Sequence, residues 1–207
     1  MFSIAELETL LEAQSKLNSH YVEDWLIKIH ESQFKTALLC ELAEFFESSP
    51  RLYNHKWWKP YLENDIQNAK VEIIDILHFG LSILLIRDAN SNPNKKICFN
   101  RIASKVAYVY ECENLNYTTP TLDNMLQSIM KFLKTKQNVI DHSLTNAYLF
   151  VFLKHACEAF DYTFDDLYKG YFLKNELNLK RINNGYMVGD YNKVDKNGNE
   201  DNRSLKV

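Results

Sequence analysis

Glycine and proline are scarce in this chain: its 207 residues include 5 Gly and 4 Pro. A sandwich or barrel of many short strands needs more turn residues than this, which argues against an all-β fold. An excess of basic charge is also lacking, because the formal net charge is -3. A general nucleic-acid binder usually carries a basic footprint, so that class is disfavoured too. With 46% apolar and 25% charged residues, the composition is that of a folded globular protein.

The chain also lacks closely spaced cysteine pairs and a long, uncharged apolar run. Its four cysteines sit among apolar neighbours, which predicts reduced core residues and neither a disulfide framework nor a zinc site: Cys40, Cys98, Cys112 and Cys157. The longest apolar stretch, Val71 to Ile86, contains two carboxylates and is too short and too charged to span a bilayer. The N-terminus does not have the basic-then-apolar order of a signal peptide. We therefore expect a soluble, cytoplasmic protein.

Helical periodicity is what the sequence does contain. Ser3 followed by Glu6 is a capping-box signature, and apolar residues recur at helical spacing after it. Similar patterns predict a second helix over 22–47, a loop over 51–59, a third helix opened by Pro60, and four more at about 97–112, 121–136, 139–160 and 163–180. The predicted fold class is all-α: a bundle of about seven helices over 1–180 is followed by an irregular segment of the same domain, 181–207. The glycine and tyrosine spacing of this segment suggests that it wraps a ligand.

Two pairs of acidic residues lie in predicted helices, and in each pair the members are three positions apart: Glu41 with Glu44, and Glu72 with Asp75. Each pair projects from one side of its helix. On many helices such a pair is a solvated face, but Glu41 shares an apolar stripe, and the second pair lies in a segment that is apolar on nearly every side. Burying these charges is costly without compensation. Four acidic groups without a thiolate suit Mg²⁺ or Mn²⁺.

A di-iron site is the nearest rival, because it also uses inward carboxylates on paired helices. Such a site needs a Glu-x-x-His unit on each of two helices, whereas this chain offers only Asp75 with His78. We therefore predict that His78 is a hydrogen-bonded core histidine and not a metal ligand.

A basic counterpart lies near the C-terminus, where Lys174, Asn178 and Arg181 fall on one helical face. The residues that follow are polar and glycine-containing: Asn184-Gly185-Tyr186, Gly189, Tyr191, Lys193 and Glu200-Asp201-Asn202. A lysine point charge and a forked arginine near flexible backbone are suitable ligands for a polyphosphate. The alternative is a solvated helix end with a polar tail.

Taken in order, these motifs resemble the dimeric dUTPase family, which belongs to the all-α NTP pyrophosphohydrolases. The motifs that carry the resemblance are Glu-x-x-Glu, Lys-Trp-Trp-Lys, Glu-x-x-Asp, Lys-Asn-x-x-Asn-x-x-Arg-x-x-Asn-Gly-Tyr-x-x-Gly-x-Tyr-x-Lys and Glu-Asp-Asn. The resemblance runs from about Leu10 to Asn202, and the C-terminal motif is its specific part.

The resemblance implies a homodimeric enzyme that hydrolyses dUTP, and also dUDP, to dUMP with Mg²⁺. Residues 1–180 would form the catalytic domain, and the segment 181–207 would close the active site. Neither a nucleic-acid polymer nor a membrane is expected as a partner. The residues that would hold the metal and carry catalysis are Glu41, Glu44, Glu72 and Asp75. Those that would bind the phosphates are Lys174, Asn178, Arg181, Tyr191, Lys193 and Asn202. Those that would bind the base are Gln14, Asn18 and Trp58. An amide side chain can accept from the uracil N3–H and donate to a ring carbonyl.

Two alternatives remain open at this point. One is a related pyrophosphohydrolase that acts on another nucleotide, such as dCTP, because the base-reading residues and not the metal cluster decide the substrate. The other is a helical interaction module without catalysis, whose buried acids pair with Lys or Arg. Nucleotide affinity that depends on Mg²⁺ would distinguish an enzyme from such a module.

Overall fold

The computed structural model describes residues 1–60, 62–92, 94–113, 115, 121–134, 142–194, 200–205 and 207. Within these residues the chain is helical, and its one β-bridge pairs Val194 with Glu200. The helices are α1 Ile4–Tyr21, α2 Trp25–Lys28, α3 Glu31–Ser48, α4 Pro50–Tyr53, α5 Ile66–Asn90, α6 Phe99–Cys112, α7 Leu122–Leu133, α8 Ser143–Glu158 and α9 Phe164–Asn183. Single 3-10 turns follow at Tyr186–Val188 and Asp201–Ser204. The all-α prediction is confirmed, since seven of the described helices have twelve or more residues.

Helix α5 is the centre of the bundle. It packs most extensively against α3 and also contacts α1, α6, α8 and α9. Most of its 25 residues are buried, and these include apolar residues on every side of the helix. A helix that is hydrophobic all round belongs in the interior of a bundle. The few polar side chains on α5 are therefore the ones that need an explanation. Among the described residues, no helix has both the length and the apolar character needed to cross a membrane.

Several predicted helix ends differ from the observed ones. The predicted second helix begins at Glu31 and not at Val22, because Asp24 takes a left-handed backbone conformation and His30 is extended. Only the single turn of α2 lies between them, anchored by the buried ring of Trp25 against Phe34. Pro50 ends α3 as predicted, but it also begins the turn α4, so the loop starts later than expected.

The third long helix begins at Ile66 and not at Pro60. Its N-cap is Asp65, whose carboxylate accepts from the backbone N–H of Asn68 at 3.0 Å. A cap of this kind satisfies one of the free N–H groups at a helix start, which Pro60 cannot do. The first helix does begin at the predicted capping box of Ser3 and Glu6. The predicted start of α8 near Asp141 lies outside the described residues.

The core prediction for the cysteines is wrong for three of the four. Cys157 is buried on α8, whereas the other three are exposed: Cys40, Cys98 and Cys112. Cys40 and Cys112 lie on the outward faces of α3 and α6, and Cys98 is the extended N-cap residue of α6, so apolar sequence neighbours do not place these three thiols in the core. All four are free thiols.

Arg87 joins α5 to three other helices. Its guanidinium donates to Glu31 of α3 at 2.9 Å, to the Asn146 side chain of α8 at 2.8 Å, and to the Phe132 carbonyl of α7 at 2.8 Å. The side chain is 1% exposed and lies over the Phe132 ring. A buried ion whose three nitrogens each donate a hydrogen bond to a different helix fixes the relative positions of those helices.

Replacing Arg87 with Met should lower the free energy of unfolding by about 3–5 kcal/mol, because buried acceptors on α7 and α8 lose their donor. Urea denaturation measures this change. The control is Lys169→Met, which removes an exposed ion pair with Asp165 on α9 and should leave the free energy of unfolding unchanged. Equal effects of the two substitutions would contradict this role for Arg87.

Candidate active site

A cleft of about 860 Å³ opens between α1, α3, α5, α9 and the C-terminal turn. Eleven of the sequence-predicted site residues line it: Gln14, Asn18, Glu41, Glu44, Glu72, Asp75, Lys174, Asn178, Arg181, Lys193 and Asn202. Other lining residues were not singled out from the sequence as site residues, among them Tyr21, Asn68, Tyr186 and Arg203. The fold thus brings acidic, basic and amide side chains from distant parts of the chain to one cavity.

Three carboxylates meet where α3 packs against α5. Each of Glu41, Glu72 and Asp75 offers an oxygen, and these oxygens all lie within 4.8 Å of one another. Glu72 is buried, and the other two are partly buried. Glu44 lines the same cleft one turn beyond Glu41, but it is exposed and lies outside this cluster of three.

The cluster is electrostatically costly in the absence of a cation. Burial, followed by the charge of Asp75, raises the pKa of Glu41 to about 7 and that of Glu72 to about 9. Asn68 donates to Glu72 at 2.9 Å, which satisfies one oxygen without adding charge. Among the described residues, Lys174 is the one cation that forms an ion pair with the cluster, at 2.6 Å from Asp75. Three carboxylates therefore share one ammonium group.

This donor set fits a divalent cation. The groups are all carboxylate oxygens, which hard cations such as Mg²⁺ and Mn²⁺ prefer, and neither a thiolate nor an imidazole belongs to the cluster. A cation bound there would lower the raised pKa values, because it offers the positive charge that the cluster is short of. The pairing of Asp75 with Lys174 also agrees with one feature of the interaction-module alternative, in which buried acids pair with bases.

The basic side of the cleft is built by α9. Lys174, Asn178 and Arg181 are all buried, at 2%, 9% and 4% exposure. Besides Asp75, the Lys174 ammonium donates to the Asn202 side-chain oxygen at 3.0 Å. Arg181 donates to Asn178 at 3.1 Å and to Asn202 at 2.7 Å, and it forms a two-pronged ion pair with Asp201. The last turns of the chain are thus held against α9 by these two cations.

Asp201 is part of the predicted C-terminal motif, but the sequence did not suggest a role for it. Its carboxylate accepts from Arg181 at 3.0 Å and from the Tyr191 hydroxyl at 2.8 Å. Tyr191 does not line the cleft and instead lies behind Asp201. Lys193 does line it, with its ammonium 5.0 Å from the centre of the Tyr186 ring. Gln67 of α5 also holds the tail, by donating to the Leu205 carbonyl at 2.6 Å.

The amide side chains of α1 lie deep in the cleft. Gln14 and Asn18 are 3% and 6% exposed, and Gln14 donates to the Asn18 oxygen at 2.9 Å. Both donate to the Ser82 hydroxyl of α5 at 3.1 Å. The Gln14 oxygen lies 2.7 Å from His78 Nδ1 and accepts from the Tyr171 hydroxyl at 3.0 Å.

His78 is a buried, hydrogen-bonded histidine, as the sequence predicted. Its ring is 4% exposed and stacks on Tyr171 with the ring centres 4.2 Å apart. Burial lowers the pKa of His78 to about 3, so the imidazole is neutral at physiological pH. Ser82 and Tyr171 were missed as site residues because each sits in an apolar helical pattern that predicts core. One available signal was that Tyr171 precedes Lys174 by three positions, on the same face of α9.

Trp58 does not reach the cleft in this chain. It is 59% exposed and packs edge-to-face against Trp57, with the ring centres 5.7 Å apart. The base-binding role expected for Trp58 stays a prediction, since no lining residue of the cleft comes from this loop.

Comparison with known proteins gives one family. The sequence model of a family described as dUTPase matches residues 6–186 of this chain. The match spans α1 to α9, and it therefore includes the carboxylate cluster, Lys174 and Arg181. It ends before Tyr191, Lys193 and Asn202, whose placement at the site depends on the contacts described above. No curated protein matches the chain.

The raised pKa values predict how pH and metal affect stability. For a carboxyl group whose pKa is higher in the folded than in the unfolded protein, stability is fully present below the unfolded value near 4.5 and is lost as pH rises through the folded value. For Glu41 and Glu72, the metal-free protein should therefore lose thermal stability as pH rises towards 9. Mg²⁺ should raise the melting temperature, and by more at pH 8.5 than at pH 6, because protons compete with the metal at lower pH.

Glu72→Gln tests the same argument through one side chain. The amide resembles the protonated carboxyl, so this variant should melt at a higher temperature than the wild type in metal-free buffer at pH 8.5, and the Mg²⁺ effect should be lost. Differential scanning calorimetry measures both, with the exposed Glu111→Gln on α6 as the matched control. A Glu72→Gln variant that behaves like the control would contradict the charge cost assigned to this cluster.

Proposed function

This chain belongs to the dUTPase family, whose members are divalent-metal-dependent hydrolases of dUTP, and from that premise we propose how its cleft acts. The cleft hydrolyses dUTP, and also dUDP, to dUMP with Mg²⁺ held by the carboxylate cluster. The observation that carries the proposal is the order of charge along one cavity. Three carboxylates lie opposite two buried cations, and two amides lie at the end of the same cavity. A metal–polyphosphate–base substrate has the complementary order of groups.

Glu41, Glu72 and Asp75 hold the metal, with Glu44 available one turn away. When bound, the cation supplies positive charge against the polyphosphate and makes a neighbouring water more acidic. Glu41, a partly buried carboxylate of the cluster, would take the proton of the attacking water. Water adds to a phosphorus, the phosphorus–oxygen bond to the outer phosphates breaks, and dUMP and pyrophosphate leave.

The phosphate oxygens bind the donors of α9 and the tail: Lys174, Asn178, Arg181, Lys193 and Asn202. Lys174 and Arg181 are buried cations whose side chains are already held in place by hydrogen bonds. These two side chains therefore need little reorientation when negative charge develops on the leaving group. Tyr191 acts on phosphate binding indirectly: its hydroxyl donates to Asp201, and the Asp201 carboxylate holds the Arg181 guanidinium in place.

The cations of the cleft carry internal counter-ions before substrate binds. Lys174 pairs with Asp75, and Arg181 pairs with Asp201. With a metal–polyphosphate bound, Asp75 would be a ligand of the metal, and the Lys174 ammonium would bind phosphate oxygens in place of Asp75.

The homodimer that the resemblance implies is part of this proposal. The outer face of α3 supports it, because Leu39, Cys40 and Ala43 are exposed there in one stripe. Light scattering should give twice the mass of one chain, and Leu39→Lys should shift the protein to monomer. The control is Ile27→Lys on α2, a side chain that is 73% exposed. A wild type with the mass of a single chain would contradict the dimer.

A direct test of the activity measures pyrophosphate release from a panel of deoxynucleoside triphosphates, with Mg²⁺ and with excess chelator. The wild type should hydrolyse dUTP in preference, and only with the metal present. Asp75→Asn should lower kcat by about 100-fold or more, because it removes charge from the cluster and frees Lys174. Its helical circular-dichroism signal should be unchanged.

The matched control for this substitution is Asp165→Asn, at an exposed ion pair on α9, which should keep full activity. Full activity of Asp75→Asn, or of the wild type in chelator, would contradict the metal mechanism. A preference for dCTP would select the related pyrophosphohydrolase, and a folded protein without Mg²⁺-dependent nucleotide affinity would select the interaction module.

A further inference from the structure

The hydrogen bonds behind Asn18 form a directed chain that begins at His78. We infer that His78 is a positioning residue which, through Gln14, fixes the orientation of the Asn18 amide and thereby sets the selection of uracil over cytosine. This inference rests on the proposed function, and it goes beyond it by placing the selectivity in residues that do not touch the base.

Asn18 alone cannot discriminate between the two bases. Uracil presents a donor at N3 and an acceptor at the adjacent carbonyl, whereas cytosine presents an acceptor at N3 and a donor at its amino group. An amide carries one acceptor and one donor group, and a half-turn of its side chain exchanges them. One orientation of Asn18 therefore pairs with uracil, and the opposite orientation pairs with cytosine. Selectivity requires something that prevents the half-turn.

Gln14 has no capacity left for a ligand. Its oxygen lies 2.7 Å from His78 Nδ1 and accepts from the Tyr171 hydroxyl at 3.0 Å. Its nitrogen uses both hydrogens, on the Asn18 oxygen at 2.9 Å and on the Ser82 hydroxyl at 3.1 Å. Gln14 therefore acts on the Asn18 amide and not on the base.

Asn18 keeps free capacity on the side of the cleft. Its nitrogen donates one hydrogen to Ser82 at 3.1 Å and retains a second. Its oxygen accepts from Gln14 and lies 3.3 Å from the Ser82 hydroxyl. That hydroxyl has one hydrogen and lies closer to the His78 carbonyl, at 3.0 Å, so the Asn18 oxygen retains a further lone pair. One N–H and one carbonyl lone pair are what an amide needs in order to read the edge of a pyrimidine.

His78 gives the chain its direction. Its Nε2 is buried and has no hydrogen-bond partner among the described residues. If Gln14 and Asn18 both turned over, Nδ1 would have to accept, and the imidazole proton would move to Nε2, a buried nitrogen for which the described residues offer no well-aligned acceptor. An unpaired buried N–H is rarer and more costly than an unpaired lone pair. The proton therefore stays on Nδ1, which keeps the Gln14 oxygen towards His78 and the Gln14 nitrogen towards Asn18.

The other members of the chain do not supply this direction. The Tyr171 hydroxyl can donate to the Gln14 oxygen or accept from a Gln14 nitrogen, since Leu10 O lies 3.4 Å away as an alternative acceptor. The Ser82 hydroxyl can likewise donate or accept. His78 is the member whose two ring nitrogens have different surroundings. That difference decides the orientation of the Gln14 side-chain amide and, through it, the orientation of the Asn18 amide.

The first experiment reads the tautomer directly. In the wild-type protein, a long-range ¹H–¹⁵N correlation spectrum of the histidine rings should show His78 protonated at Nδ1 and not at Nε2. An Nε2–H tautomer would overturn the inference whatever nucleotide the enzyme prefers. A wild type that prefers dCTP would contradict the proposed function instead, so the two failures are distinguishable.

The second experiment changes the chain and measures the ratio of kcat/KM for dUTP to that for dCTP. Gln14→Glu leaves only acceptors next to Asn18, which turns the Asn18 nitrogen towards position 14, so the ratio should fall at least about 10-fold with dCTP hydrolysis rising. His78→Phe keeps the stack on Tyr171 but removes the direction, and the ratio should fall there as well. His155→Phe, at a buried histidine of α8 outside the cleft, should keep the wild-type ratio.

The Mg²⁺ concentration for half-maximal activity should be the same in all of these variants, because the metal cluster is untouched. If His78→Phe fails to fold, Gln14→Glu and the tautomer spectrum still decide the question. An unchanged ratio in Gln14→Glu, with dUTP still preferred, would overturn the inference.

Discussion

The constraint on which the site depends is the burial of carboxylates where α3 packs against α5. Burial alone opposes their ionisation, and it is the largest cause of the raised pKa values of Glu41 and Glu72. A bundle of this size has ample apolar surface to fill the same position, and apolar packing there would be more stable. The acidic cluster therefore lowers the stability of the metal-free fold when its carboxyl groups are ionised, and a bound ligand of opposite charge offsets that cost.

The basic half of the cleft follows from the acidic half. Lys174 forms an ion pair with Asp75 and so supplies positive charge to the carboxylate cluster. The tail in turn supplies partners to the two buried cations: Asn202 accepts from both Lys174 and Arg181, and Asp201 forms an ion pair with Arg181. Each charged layer is thus neutralised by the next, from α5 through α9 to the C-terminal turn. These ion pairs and hydrogen bonds hold the polar C-terminal segment against the bundle, together with Val207, which packs against the hydrophobic core.

The sequence predicted the parts of this arrangement that repeat along the chain. Helical periodicity identified the long helices, and acidic pairs inside apolar segments identified Glu41, Glu72 and Asp75 as residues that need a cation. Helix starts were predicted poorly where a left-handed residue such as Asp24 or a cap such as Asp65 decides them, since hydropathy does not register backbone conformation. The partners Ser82 and Tyr171 could not be predicted, because a buried hydroxyl in an apolar pattern has the same signature as core packing.

One face of α5 connects the two chemistries of the cleft. Glu72, Asp75, His78 and Ser82 follow one another at spacings of three, three and four residues, which places them in a stripe along the helix. The stripe is about 15 Å long at the rise of an α-helix. Its first half faces the carboxylate of α3, and its second half faces the amides of α1. Since α5 is rigidly packed on every side, the distance between the metal end and the amide end is fixed before any ligand binds. A substrate whose phosphates and base match that separation engages both ends at once, and a shorter or longer one reaches only one of them.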